Sequence, residues 1–293
     1  MDFIDSLTEF KFMSSFYLTR VLILDGNKSA EKQTGLVIYN RLRDECAYGS
    51  FKKVELKHEF VESREKLLQQ LKMLKNEVVP NMGFILHLEF HGDKNGLEVG
   101  NDSERVEWCE LQSLLAEINL KTRCNLGLVF AGCNGFGSFK VADIAEPVAF
   151  YFQLAHAGVI SAGLLENSLI KFYNAIISDR NLQSASEAAK PFQMKYAESI
   201  FVNLQDLVCR SASPAAIKKD YVETTLSKLL EIENIRDAIS VAEARNIIKK
   251  NYVSYENWIS NNIKMNLNFF CGRAPAYTVG QLTKWISDRA KSA

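Results

Sequence analysis

At 293 residues, with 47% hydrophobic and 11% aromatic side chains, the chain can fill the core of one large domain, or of one medium domain with an appendage. Lysine plus arginine and aspartate plus glutamate balance at 35 each, which argues against the basic excess that carries bulk nucleic-acid binding. No run approaches the ~18 apolar residues of a transmembrane helix, and no amino-terminal stretch has the order of a secretory leader, so neither membrane insertion nor export is expected. The six cysteines (Cys46, Cys109, Cys124, Cys133, Cys209 and Cys271) show no CxxC spacing, which suits free thiols in a reducing cytoplasm better than disulfides or a zinc cage.

In chain order, "FYLTRVLILD" (16–25) reads as a buried strand. Ile38, Leu42 and Cys46 at four-residue spacing read as a helix over 31–46. "KVELKHEF" (53–60) alternates as a half-exposed strand. Ser63 offers an N-cap to a helix striped by Leu67, Leu71, Leu74 and Val78. Residues 84–90 form the next strand, Leu111 to Ile118 a helix, and "NLGLVFAGC" (125–133) another buried strand. After a glycine-rich loop, Pro147 suits the first turn of a helix through His156. "GVISAGL" (158–164) reads as a small-residue strand, and Leu169 to Ile177 as a broad helical face.

Such alternation implies an α/β fold, a mostly parallel sheet flanked by helices. Around Pro191 the pattern becomes helical over 192–209, 215–250, 252–264 and 278–290. The expected organisation is an α/β domain over 1–190 and a helical C-terminal region, 191–293, packed on it.

"ILHLEFHGD" (85–93) places His87, Glu89 and His91 on one strand. At ~3.3 Å per residue, His87 and His91 would lie ~13 Å apart, too far to share a metal ion. His87 and Glu89 match half of a zinc-deaminase signature, but its Pro-Cys-x-x-Cys half is absent. "AGCNGFGS" (131–138) follows a strand but lacks the Gly-Lys-Ser/Thr of a phosphate loop. No cofactor or metal is therefore expected. A cysteine closing a buried strand is ordinarily a small core residue. Here His91 and Cys133 close two strands joined by one helical segment, and such strands are commonly neighbours whose C-terminal ends open into the ligand crevice. An imidazole beside a thiol can raise its thiolate fraction and later protonate a leaving amine.

These residues resemble a known family. "LHLEFHG" (86–92) is similar to the Leu-His-x-x-x-His-Gly strand of CHAT-domain proteins, which are caspase-like cysteine peptidases. "VFAGCNGFGS" (129–138) is similar to that family's strand ending in Ser-Ala-Cys-x-Thr. "LAHAGVISAGL" (154–164) and "FYNAIISDRNLQSASEAAK" (172–190) resemble the segments that follow, so the resemblance spans roughly 15–190. It implies Cys133 as nucleophile, His91 as acid and base, and the N–H groups of Gly92 and Cys133 as the oxyanion hole, with His87 structural. Gly132 stands where the family usually has alanine, Ala131 where serine is usual, and Glu89 where a small residue is common. Asp93 and Glu166 are candidates to line a pocket for a basic side chain, or else solvated loop charges. Asn134 is a third candidate for substrate contact.

Two functions follow as expectations. One is a cytoplasmic cysteine endopeptidase cutting a protein substrate in a bacterial antiviral-defence or cell-death pathway. The other is a catalytically inactive caspase-like module whose helical C-terminal region binds a regulatory partner protein. Neither involves nucleic acid or a membrane.

Overall fold

The computed structural model describes residues 10, 12–28, 31–48, 54–93, 95–133, 135, 143–211, 214–231, 240–250 and 254–292. The fold is α/β, with a mostly parallel six-stranded sheet flanked by helices. Three strands form its centre: β1 (Arg20–Asp25), β3 (Phe84–Glu89) and β7 (Leu126–Ala131), each buried at every position. Burial on both faces is why they read as continuous apolar runs. The edge strand β2 (Glu55–Phe60) alternates because one of its faces meets solvent. Sheet order is β2-β1-β3-β7-β8-β9, with β8 at Phe152–Ala155 and β9 at Gln193–Tyr196. All pairs are parallel except β8–β9.

The helices that cross between these strands are α1 (Thr34–Tyr48), α2 (Arg64–Glu77), α3 (Trp108–Thr122), α4 (Ala162–Asp179) and α5 (Leu182–Ala188). Helix α2 starts where its sequence says it should: the Ser63 hydroxyl accepts from the Lys66 N–H, and Leu67, Leu71 and Leu74 face the core. A second, three-stranded antiparallel sheet lies between β3 and α3. It consists of β4 (His91–Gly92), β5 (Gly96–Val99) and β6 (Glu104–Glu107).

Three segments differ from the sequence reading. The helix expected from Pro147 to His156 is instead an extended segment leading into β8, and Tyr151 N–H donates to Leu126 O at its start. The run Val148–Ala155 is apolar except for Gln153 and rich in aromatics, and periodicity cannot separate such a run from a buried helix. The strand expected over 158–164 is a loop and the first turn of α4. Val159 is 83% exposed and the Ser161 hydroxyl caps the helix by accepting from Leu164 N–H. The helix expected from 192 begins only at Ala197, because Gln193–Tyr196 closes the sheet as β9 against β8.

The chain divides into two compact units. The sheet unit runs to Ile200 and takes back Asn268–Ala276. Within it, Val148 N–H donates to Phe269 O, and Arg273 reaches Cys124 O at 3.0 Å and Asn125 Oδ1 at 2.7 Å. The helical unit comprises Phe201–Leu267 and the residues from Tyr277 onward. It contains most of α6 (Ala197–Ser211), then α7 (Pro214–Leu230) and helices at Val241–Lys250, Tyr255–Met265 and Val279–Ser292. Val222, Leu226, Ala244 and Ile248 form one of its cores, and the Tyr255 hydroxyl donates to Cys209 O at 2.9 Å. Among the described residues no helix is long and apolar enough to cross a membrane.

Candidate active site

The C-terminal ends of β1, β3 and β7 lie side by side. Register sets Asp25 opposite Glu89, and Glu89 opposite Ala131. The pairing of β3 with β7 ends there; His91, expected at the end of this strand, belongs instead to β4, opposite Glu98 of β5. The backbones stay close beyond the strand ends. A Cβ placed on Gly132 would lie 2.1 Å from Phe90 O, and one on Gly92 would lie 2.8 Å from Cys133 O. The segment after Cys133 is tied to β8: Gly135 N–H donates to His156 O at 3.1 Å, and the buried Gln153 amide donates to Gly135 O at 3.0 Å.

The close approach accounts for glycine at 132. Both atoms in contact belong to backbone, so neither can rotate away. Gly132→Ala should therefore push the Cys133 segment off β3 and destabilise the protein by about 1–3 kcal/mol. A thermal-melt comparison with Gly163→Ala, where nothing lies within 4 Å, would check this. Equal stability of the two variants would contradict it.

Of the four histidines only His91 is exposed. Its ring is 50% exposed, and its Nε2 lies 2.7 Å from Glu31 Oε2, in the segment between β1 and α1. That hydrogen bond is the main cause holding the Glu31 carboxyl below its ordinary value. No hydrogen bond between described residues joins the Cys133 thiol to the ring. The thiol is half-buried.

His87, four residues earlier on β3, is fully buried. Its Nδ1 lies 2.9 Å from the Tyr173 hydroxyl of α4, and its Nε2 lies 2.9 Å from Glu89 Oε2. The other Glu89 oxygen accepts from the Thr34 hydroxyl at the start of α1. The chain Tyr173–His87–Glu89–Thr34 thus fastens α4, β3 and α1 together from inside. Burial pushes the Tyr173 hydroxyl well above its ordinary value, so it stays a neutral donor. His58 lies 3.5 Å from the buried Asp25, and His156 bonds within its own loop to Gly158 O.

Among the expected substrate contacts, Asp93 shapes the β4–β5 turn. Its Oδ1 accepts from Asn95 and Gly96 N–H groups, and its Oδ2 pairs with Arg105 at 2.9 Å. The Asn95 N–H bond leads the causes that lower its carboxyl. Glu166 pairs with Lys32 at 2.6 Å. Asn134 lies outside the described residues. Glu31 and Lys32, which the sequence reading did not single out, therefore contact His91 and Glu166 in turn. Nothing in their local pattern marks them: Glu31 is 60 residues from its histidine.

A cleft of about 400 Å³ lies elsewhere in the sheet unit, between α3 and residues Asp143–Phe150. It includes neither His91 nor Cys133. Its titratable lining groups are Cys109, Glu117, Asp143 and Glu146, with no histidine or cationic group among them. It offers no base beside a nucleophile, and the His91–Cys133 edge remains the better candidate for chemistry. Among the described residues no group of three histidine, cysteine or carboxylate side chains is arranged to hold a metal ion. Compared with known proteins, the chain matches no family model and no curated sequence.

Proposed function

We propose that the chain is a caspase-like cysteine endopeptidase of the CHAT type, acting on a protein substrate in the cytoplasm within a bacterial defence or cell-death pathway. The observation that supports it is the close approach of the two segments just beyond the paired ends of β3 and β7, where a Cβ on Gly92, the residue after His91, would lie 2.8 Å from Cys133 O. In the proposed reaction the thiol proton passes to the His91 ring and the sulfur attacks the scissile carbonyl carbon. The carbonyl π-bond becomes an oxyanion that accepts from the Gly92 and Cys133 N–H groups. Collapse of that intermediate breaks the C–N bond, and the ring delivers its proton to the leaving amine. Water, deprotonated by the same ring, then hydrolyses the thioester and returns the thiol. Asp93 and Glu166 already have cationic partners, so a basic substrate side chain would have to displace Arg105 or Lys32.

A panel of peptidyl acyloxymethyl ketones differing in the residue before the cleaved bond tests this reading without knowledge of the natural substrate. At least one member should form a stoichiometric thioether on Cys133, and His91→Ala should suppress it. If no member labels Cys133 while free iodoacetamide still reaches the exposed Cys109, the edge is no peptidase site. The alternative, a non-catalytic interaction module, would then stand.

A further inference from the structure

The acid that holds His91 is itself held in place. Lys28 N–H donates to Glu31 Oε2 at 3.2 Å, and Glu31 N–H donates to Lys28 O at 2.9 Å. The Gln33 amide donates to Lys28 O at 3.0 Å and to Glu31 O at 3.2 Å. Three residues beyond Glu31, Thr34 is 3% exposed and its hydroxyl is bound to the buried Glu89. On the other side Lys32 is tied to Glu166 of α4 at 2.6 Å. The carboxylate is thus fixed from both ends, and the same oxygen, Oε2, that accepts from Lys28 N–H meets the imidazole nitrogen.

We propose that Glu31 is a positioning residue for His91, fixing the ring through Nε2 and balancing the charge the ring gains when the Cys133 thiol ionises. This rests on the Cys133–His91 reading above. With Nε2–H donated to Glu31, the tautomer is set, and Nδ1 is the ring nitrogen left to accept a proton. Ionisation then moves the thiol proton to Nδ1 and leaves the electron pair on sulfur. The imidazolium faces a carboxylate at 2.7 Å. Other charges near the pair are Lys28 and Lys32 on the same segment, Glu98 opposite His91 on β5, Arg105 of β6, Asp93 and Glu166. The lowered carboxyl of Glu31 means that it is ionised throughout the neutral and mildly acidic range.

The test is the rate of Cys133 alkylation by limiting iodoacetamide, read by peptide mass spectrometry on the full chain. In that reaction sulfur bonds to the methylene carbon and iodide leaves with the C–I electron pair, so no substrate is needed. Wild type, Glu31→Gln, His91→Ala and the double variant are compared from about pH 5.5 to 8. Glu31 is exposed enough for Gln to be accommodated, and the half-exposed ion pair sets the expected size of the effect. Glu31→Gln should slow labelling at pH 6.5 by about 2–5-fold. The difference should persist down to the lowest pH tested, because the lowered Glu31 carboxyl has not yet taken up its proton there. In the His91→Ala background Glu31→Gln should change nothing further. If His91→Ala slows labelling and Glu31→Gln does not, the role of Glu31 is refuted while the dyad stands. An equal effect of Glu31→Gln with and without His91 would show that it acts on the segment and not on the ring, which also refutes the proposal. If His91→Ala leaves labelling at the wild-type rate, the dyad itself is wrong, and Glu31 has nothing to position.

Discussion

Glu89→Ala should destabilise the sheet unit by about 3–5 kcal/mol, against under ~1.5 kcal/mol for Glu89→Gln. Glu89 is 1% exposed and sits between the His87 ring at 2.9 Å and the Thr34 hydroxyl. Alanine would leave both partners without an acceptor at sites closed to water, where an unmade hydrogen bond costs the full desolvation of the group. It would also loosen the stacked His87–Tyr173 pair, whose rings lie 5.9 Å apart and 7° from parallel. Glutamine keeps an oxygen for Thr34, and its amide can donate to His87 Nε2 once the ring proton moves to Nδ1 and is donated to the Tyr173 hydroxyl, so only alanine leaves the partners unbonded. Of the three tryptophans only Trp108 belongs to the sheet unit, with Trp258 and Trp285 in the helical one. In a Trp258→Phe, Trp285→Phe background, urea unfolding followed by Trp108 fluorescence therefore reports the relevant transition. A Glu89→Ala midpoint within ~1 kcal/mol of wild type would mean that the buried chain does not hold these elements together.

Cys133→Ala should lower kcat/KM by about 10³–10⁶-fold on whichever peptide the inhibitor panel selects, down to what binding and oxyanion donors sustain without a nucleophile. It should do so at nearly unchanged stability, since only one half-buried sulfur is lost. The other thiols make poor substitutes. Burial pushes Cys209 up to about 12, so roughly one molecule in 10⁵ is thiolate at pH 7. Burial also raises Cys46. Cys124 keeps its proton, hydrogen-bonded to Cys271, which is lowered by that bond but is 7% exposed. Cys109 is exposed and serves as the control for an accessible thiol with no histidine in contact. Cleavage that survives Cys133→Ala and disappears with Cys109→Ala would move the chemistry to another part of the fold.

Much of the architecture follows from the chain alone, for a physical reason. A strand buried on both faces must be apolar at every position, so β1, β3 and β7 announce themselves, as does α2 through its leucine stripe and Ser63 cap. Alternation of such strands with helical periods implied the mostly parallel sheet that is observed. Short pieces were not legible. The paired strands at 91–92, 96–99 and 104–107 are too short for a period of two to register, and β9 has four residues whose pairing with β8 decides their state. The apolar run Val148–Ala155 was ambiguous in itself and became a strand only because β7 offered an unpaired edge.

The site divides the same way. His91-Gly92 and Cys133 were conspicuous as chemistry at strand ends, since side chains there need not serve a core. That β3 and β7 are neighbours, so that the segments following them run close together at Gly92 and Cys133, is a property of sheet order, which only long-range pairing decides. Glu31 carries no local signal at all. It reaches His91 because Thr34 is anchored on the buried Glu89 and Lys32 on Glu166, contacts that join segments 55 and 134 residues apart. Periodicity reports which face of an element is buried. It is silent on which distant loop a half-exposed histidine will meet, because that depends on how the elements pack.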